Sequence, residues 1–318
     1  MGVFRARRMA VFCAVAALLL LAADAPAQQP AKTMAERLGY PAGTKLLIIH
    51  ADDVGVAHSV NRATFRALEE NSVNSASIMV PCPWLTEVAA WAKEHPDADL
   101  GLHLTLTSEW RHYRWGPSAS SDRVRGLLDP LGYLWPAVKQ VVEHASPEEV
   151  EHEIRVQVQK ARQAGINPTH LDTHMGTLAA SPAFYAAYLK VSREFGLPFL
   201  ALRMPGAPPE MLAQLRDDDI VLDALVMANE RVEAGRWHEW YAQQVRSLKP
   251  GLTMMIVHLG YDDAELQAVM DGKPAFGSAW RQRDMDAVSS PEFKRLLREN
   301  GVVLVTWREL KSRAAAGK

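Results

Sequence analysis

The chain has 318 residues and a formal net charge of −2, so it offers no polycationic surface for a nucleic acid. Its composition, 48% hydrophobic and 23% charged, is that of an ordinary globular protein. The length allows one large domain or two small ones and carries no indication of oligomeric state.

The first 27 residues have the pattern of a Sec-type signal peptide. Three arginines precede an uninterrupted apolar run at 9–22, and Ala25 and Ala27 supply the small residues of a cleavage site. The alternative is a membrane anchor, but about 14 apolar residues are fewer than the roughly 20 that cross a bilayer. We therefore expect cleavage after Ala27, a periplasmic or secreted location, and no stable membrane span in the mature chain.

The mature chain begins with a polar stretch rich in Ala and Pro, for which we predict a linker over residues 28–44. From residue 45 to residue 312, short apolar runs alternate with runs that have helical spacing, and residues 313–318 remain as a C-terminal tail. The predicted strands are 45–51, 75–80, 98–107, 168–175, 198–203, 253–259 and 302–307. The predicted helices are 59–72, 85–95, 147–165, 181–196 and 290–301.

The alternation of strands and helices predicts an α/β fold with a parallel sheet and crossover helices. About seven such units in one continuous stretch favour a single (β/α) barrel over two open sheets. We therefore predict one domain over residues 45–312, built on about seven parallel strands.

Acidic and histidine side chains lie at the ends of four predicted strands, where parallel α/β folds collect functional groups. Asp52 and Asp53 follow the first strand, His103 lies in the third, His174 in the fourth and His258 in the sixth. A single strand histidine is most often a core residue, but four strands that deliver acids or histidines to one rim indicate a shared site. This constellation is the main functional signal of the sequence.

Mixed Asp and His ligands suit a divalent metal ion such as zinc, magnesium, manganese or cobalt. Such a metal lowers the pKa of a water molecule, and a carboxylate beside it can accept the proton. This chemistry gives the adjacent acids separate tasks, because one can bind the metal while the other stays free as a general base.

The segments IIHADDVG, GLHLTLT, PTHLDTHMG and IVHLGY resemble those of the YdjC-like (ChbG/HpnK) carbohydrate deacetylases, relatives of the NodB-type polysaccharide deacetylases. The similarity extends from about residue 45 to about residue 310. The resemblance implies a distorted (β/α) barrel and metal-dependent removal of an acetyl group from an N-acetylated amino sugar in an oligo- or polysaccharide.

The resemblance also implies a role for each residue of the constellation. Asp52 matches the general base, and Asp53 matches a metal ligand. His103 and His174 complete the metal site. His258 stabilises the oxyanion or protonates the leaving amine.

Five further residues are candidates for contacts around the site. Asp172, two positions before His174, would orient a ligand histidine through a hydrogen bond. Arg203 matches a family arginine near the site, with a structural ion pair as the alternative. Trp110 and Trp115 would stack on sugar faces or else cover the barrel edge, and Arg281 would contact substrate or else be surface charge.

The chain departs from the family pattern at His50, where relatives often have Asn, at Gly176 and at Leu259. The last two changes reshape the substrate side of the pocket. Two other functions are compatible with the same residues: a different metal hydrolase acting on a phosphoester or another amide, and a non-catalytic carbohydrate-binding protein. The intact set of acids and histidines argues against the binding protein, which has no need of a base.

Overall fold

A computed structural model describes residues 32–202 and 208–316. The predicted signal peptide at 1–27 lies outside these residues. Within these two ranges, no helix has both the length and the apolar character that crossing a membrane requires.

The described residues form a single sheet of seven parallel strands, which confirms the predicted fold class and strand number. The strands are β1 (Lys45–Val54), β2 (Ser75–Ile78), β3 (Leu100–Leu104), β4 (Leu171–Thr173), β5 (Ala224–Met227), β6 (Gly251–Val257) and β7 (Val302–Leu304). Their order is β4-β3-β2-β1-β6-β5, and β7 pairs with the first three residues of β1.

Twelve α-helices lie in the described part of the chain, most of them connecting consecutive strands. They are α1 (Met34–Arg37), α2 (His58–Glu69), α3 (Leu85–Glu94), α4 (Val138–His144), α5 (Pro147–Gln163), α6 (Pro182–Phe195), α7 (Pro209–Leu212), α8 (Trp237–Ser247), α9 (Ala264–Val269), α10 (Ser278–Ser289), α11 (Pro291–Glu299) and α12 (Trp307–Ala316). Ser-Pro starts α5, α6 and α11, each with a serine side chain that caps the first turn.

The strand predicted at 198–203 is an irregular segment over its described residues. Isolated parallel bridges join Phe199 to Leu171 in β4 and Leu202 to Leu222, just before β5. The buried Tyr188 hydroxyl donates to the carbonyl of Leu171 and accepts from the amide of Leu200, so a side chain enters the backbone ladder at this point. The segment still links the two outer strands, which makes the sheet a distorted barrel.

Residues 28–44 are predicted to be a linker, but this stretch contains the short helix α1. Thr33 forms a capping box with Glu36 at the start of α1, and Met34 and Leu38 are buried. The amide of Met34 also donates to the carboxylate of Asp223. A four-residue helix is too short to show periodicity, so its apolar contacts with the barrel have no sequence signal.

The predicted tail at 313–318 also differs from the structure, because α12 continues to Ala316. The sequence pattern did not predict β5, the short helices α1, α4, α7 and α9, or the longer helices α8, α10 and α12. Residues 224–227 alternate between half-buried and exposed positions, which gives a weaker signal than the fully buried strands.

Candidate metal centre

A bulge at the end of β1 turns both adjacent acids toward one site. Ala51 pairs with Ala76 and Val54 with Ile78, so two residues of β1 stand opposite one residue of β2. Asp53 has φ +68, in the left-handed region. Without the bulge, the period of a strand would send neighbouring side chains to opposite faces.

Three buried side chains from different parts of the barrel meet at this bulge: Asp53, His103 and His174. Asp53 Oδ1 lies 3.4 Å from His103 Nε2 and 3.3 Å from His174 Nδ1. Ligands placed about 2.1 Å from a tetrahedral metal ion are about 3.4 Å apart. The spacing therefore fits a divalent metal held by these three atoms.

The electrostatics of the three residues favour a cation between them. Asp53 Oδ1 is buried and has no hydrogen-bond partner among the described residues. Burial lowers the pKa of His174, but Glu109 and Asp53 outweigh this effect and raise the pKa to about 10. The carboxylates thus stabilise positive charge at this position, which a divalent ion would supply.

Each of the two candidate ligand histidines has a carboxylate beside its second ring nitrogen. His103 Nδ1 lies 2.6 Å from Asp172, and His174 Nε2 lies 3.1 Å from both oxygens of Glu109. A carboxylate in this position fixes the tautomer and the ring orientation of a metal-binding histidine. The structure thus places Asp172 where the sequence suggested, whereas Glu109, an isolated acid in the loop after β3, had no signal in the sequence.

Arg281 lies on the opposite side of Asp53 from the histidines. It is 1% exposed, and its Nη2 is 2.6 Å from Asp53 Oδ2. Its Nε donates to the carbonyl of Phe276. Burial raises the pKa of Asp53, but Arg281 and the neighbouring histidines outweigh this effect and hold the pKa well below its ordinary value. Arg281 is therefore not surface charge but a buried partner of a candidate ligand carboxylate.

Asp52 lies beside the three candidate ligand residues and is directed to the same space. Its Oδ2 is 3.8 Å from His103 Nε2 and 3.9 Å from His258 Nε2. Its Oδ1 accepts a hydrogen bond from Ser77. The structure therefore brings together all five residues of the predicted constellation, with Asp52 and His258 adjoining the three candidate ligands.

His258 follows the end of β6 and is held through its backbone. Its amide donates to Asp284, which also accepts from the indole of Trp237 and the hydroxyl of Tyr241. Burial lowers the pKa of His258 to about 4, so its imidazole is neutral near pH 7. Burial likewise raises the pKa of Asp284 to about 6.

Two other groups of buried acids and histidines have ligand atoms within reach of one another: His50 with His170 and Asp172, and Asp52 with His103 and Asp172. Both groups need Asp172, whose two oxygens already lie 2.6 Å from His103 Nδ1 and 2.9 Å from His50 Nε2. Asp53 Oδ1 has no such partner among the described residues, so its group is the best candidate for the metal.

The remaining candidates lie elsewhere. Trp110 and Trp115 are each 4% exposed, their rings pack 5.1 Å apart, and the Trp115 indole donates to Thr107. Burial of these large apolar rings leaves no open face for a sugar and favours the second alternative, in which the rings pack against the body of the protein. Arg203 lies outside the described residues.

The protein family described as "YdjC-like protein" matches residues 46–299, which include every residue of the centre. The chain belongs to the YdjC-like family. A relative from Thermus thermophilus named "Carbohydrate deacetylase" is 31% identical over 87% of this chain and 97% of its own length. A relative of the same name from Brevibacillus brevis is 27% identical over 83% of this chain and 99% of its own length.

The same fold is present in a crystal structure from Enterococcus faecalis V583, of a protein proposed to cleave cellobiose phosphate. Its sequence is 23% identical to this chain. The match covers 84% of this chain and 99% of the Enterococcus protein, with a TM-score of 0.71. At this level of identity the likeness concerns the fold alone.

Proposed function

We propose that this protein is a metal-dependent carbohydrate deacetylase that hydrolyses the acetamide of an N-acetylated amino sugar in an oligo- or polysaccharide. The observation on which this proposal rests is the buried set of Asp53, His103 and His174, with the separate carboxylate of Asp52 directed to the same space. Membership of the YdjC-like family and the deacetylase names of relatives along almost the whole chain support the choice of reaction.

Asp53, His103 and His174 would hold a divalent metal, each through one atom. When bound, the metal supplies Lewis-acid chemistry, which acidifies a water molecule and polarises a carbonyl group. Asp172, Glu109 and Arg281 keep the ligand atoms in place through hydrogen bonds to the parts of the ligands that face away from the metal. The chain thus provides a site that exists before the substrate arrives.

Asp52 acts as general base and then as general acid. It accepts a proton from the water that attacks the acetamide carbonyl and delivers that proton to the nitrogen of the leaving amine. Acetate and a free amino sugar are the products. His258 donates a hydrogen bond from Nε2 to the developing oxyanion, a role that suits its neutral imidazole and the 3.9 Å between its Nε2 and Asp52.

The test of the proposed function is the variant Asp52→Asn, which keeps the shape of the side chain but cannot accept a proton. Acetate release from N-acetylated chito-oligosaccharides is expected to fall on the order of 10²- to 10⁴-fold. Zinc binding is expected to be retained, because Asp52 is not a ligand. The exposed Asp97→Asn is the matched control.

Wild-type acetate release by Asp52→Asn would contradict the assignment of the base. A panel of acetylated and phosphorylated sugars distinguishes the reaction by its product. Phosphate release without acetate release would identify a phosphoester hydrolase instead. Absence of bound metal, together with no release of either product when metal is added, would favour a carbohydrate-binding protein.

A further inference from the structure

We propose that His50 is a positioning residue that joins the general base to the carboxylate that orients a metal ligand. The inference rests on the proposed function, in which Asp52 is the base and His103 a ligand. His50 itself touches neither the substrate position nor the metal position. It acts through the two acids that it contacts.

The geometry of His50 is that of a bridge. The residue is fully buried on β1, and its Nε2 lies 2.9 Å from Asp172 Oδ2 and 3.2 Å from Asp52 Oδ1. Its Nδ1 is 2.9 Å from the hydroxyl of Ser75. The Ser77 hydroxyl lies 3.0 Å from His50 Nε2 and donates a hydrogen bond to Asp52 Oδ1 at 3.4 Å. One imidazole therefore fixes both acids relative to β2.

The contact with Asp172 extends to the metal site. The oxygen of Asp172 that does not face His50 accepts from His103 Nδ1 at 2.6 Å. The hydrogen-bonded series therefore runs from His50 through Asp172 to His103. A change at His50 should reach the metal through Asp172 and the proton transfer through Asp52, which are two separately measurable effects.

The charges explain why the fold needs a donor at this position. Asp52 and Asp172 are buried, and their ion-pair partners within 4 Å in the described part of the chain are all histidines. Buried carboxylates without a hydrogen-bonding partner are strongly unfavourable. Burial lowers the pKa of His50, but the hydrogen bonds that its imidazole donates to both acids outweigh this effect and raise the pKa to about 9, so both ring nitrogens carry a proton near pH 7.

His170 provides a matched control for His50. It is also a fully buried histidine, and the centroids of the two rings are 5.1 Å apart. Its Nδ1 lies 2.9 Å from the hydroxyl of Thr169, and its Nε2 is 3.9 Å from Asp172 without a hydrogen-bond partner among the described residues. His170 thus shares the surroundings of His50 but not its bridge.

The experiment compares His50→Leu and His50→Gln with His170→Leu and His170→Gln in the full mature chain. Zinc affinity is measured by chelator competition, and kcat and KM by acetate release, on protein shown to be folded. For His50→Leu we expect at least about tenfold loss in both zinc affinity and kcat, with KM unchanged. The Gln variant keeps a donor nitrogen, its side-chain NH₂ group, and should recover part of both.

The two His170 variants should stay within about twofold of wild type in both measurements, since tenfold effects accompany loss of a ligand-orienting partner. Equal losses in the His50 and His170 variants, or wild-type zinc affinity and kcat in His50→Leu, would overturn the proposal. If the Leu variants do not fold, the two Gln variants decide: a larger loss in zinc affinity and kcat for His50→Gln than for His170→Gln supports the proposal, and equal values overturn it. If the wild-type protein releases no acetate, the proposed function fails, and zinc affinity still tests His50.

Discussion

Asp53 combines three unfavourable features in one residue. Its backbone is in the left-handed region, which costs on the order of 1–3 kcal/mol for a residue other than glycine. Its carboxylate is buried, and a second acid precedes it in the chain. The guanidinium of Arg281 offsets part of this, because it binds the oxygen that faces away from the histidines. Strain at this position is consistent with a functional requirement.

The bond from Arg281 to Asp53 predicts a specific effect of Arg281→Lys. A lysine retains the charge but cannot bind Asp53 and the Phe276 carbonyl together from a planar group. We expect zinc affinity to fall about tenfold in chelator competition, as for other partners that orient a metal ligand. The exposed Arg66→Lys is the control, and equal zinc affinity of Arg281→Lys and wild type would refute the role.

Single residues also mark the limit of prediction from sequence. Asp52, Asp53, His103, His174 and His258 could be found because each stands at the end of an apolar strand. Asp172 could be found for the same reason, because it lies on β4. Glu109 and the contact of Arg281 with Asp53 could not, since they depend on a loop and a helix distant in sequence. The two residues of one such bond, Asp53 and Arg281, are 228 positions apart.

At the scale of elements, α10 supports the centre from two of its turns. Arg281 and Asp284 lie three positions apart, on the same face of the helix, and bind Asp53 and the His258 amide. The buried face of α10 therefore includes two charged residues. This is why apolar periodicity did not predict the helix, although the capped and amphipathic α5, α6 and α11 were predicted.

Asp284 predicts a pH dependence of stability. Its folded pKa of about 6 is above the ordinary 3.8, so the folded protein binds the proton more tightly than the unfolded chain. Its contribution is complete below pH 3.8 and is lost as pH rises through about 6. Between pH 5 and pH 7, the free energy of unfolding of wild type relative to Asp284→Asn should fall by about 1 kcal/mol in urea titrations. A constant or rising difference would contradict the shift.

At the scale of the whole molecule, the barrel brings strand ends from a long stretch of chain to one rim. The number of strands and their parallel arrangement could be predicted, because alternating apolar and amphipathic segments leave few arrangements. The irregular form of the segment between β4 and β5 could not, since it depends on two isolated bridges and the inserted hydroxyl of Tyr188. Short edge segments have too few residues for a periodic signal.

Export is a proposal about the whole chain that rests on residues 1–27. Expression of the full-length chain in a Gram-negative host should give a periplasmic or secreted protein whose first residue, by intact mass spectrometry, is Gln28. A variant with Leu19 and Leu20 changed to Arg should remain uncleaved in the cytoplasm. Cytoplasmic wild-type protein that retains residues 1–27 would exclude export.

The central claim is that the Asp53, His103 and His174 site holds a metal used to release acetate. The most direct measurement is acetate and free-amine release from N-acetylated chito-oligosaccharides before chelation, after chelation and after addition of zinc, manganese or cobalt. We expect equal amounts of the two products, loss on chelation and recovery with metal. No acetate from the metal-loaded protein, or release that chelation does not reduce, would contradict the account.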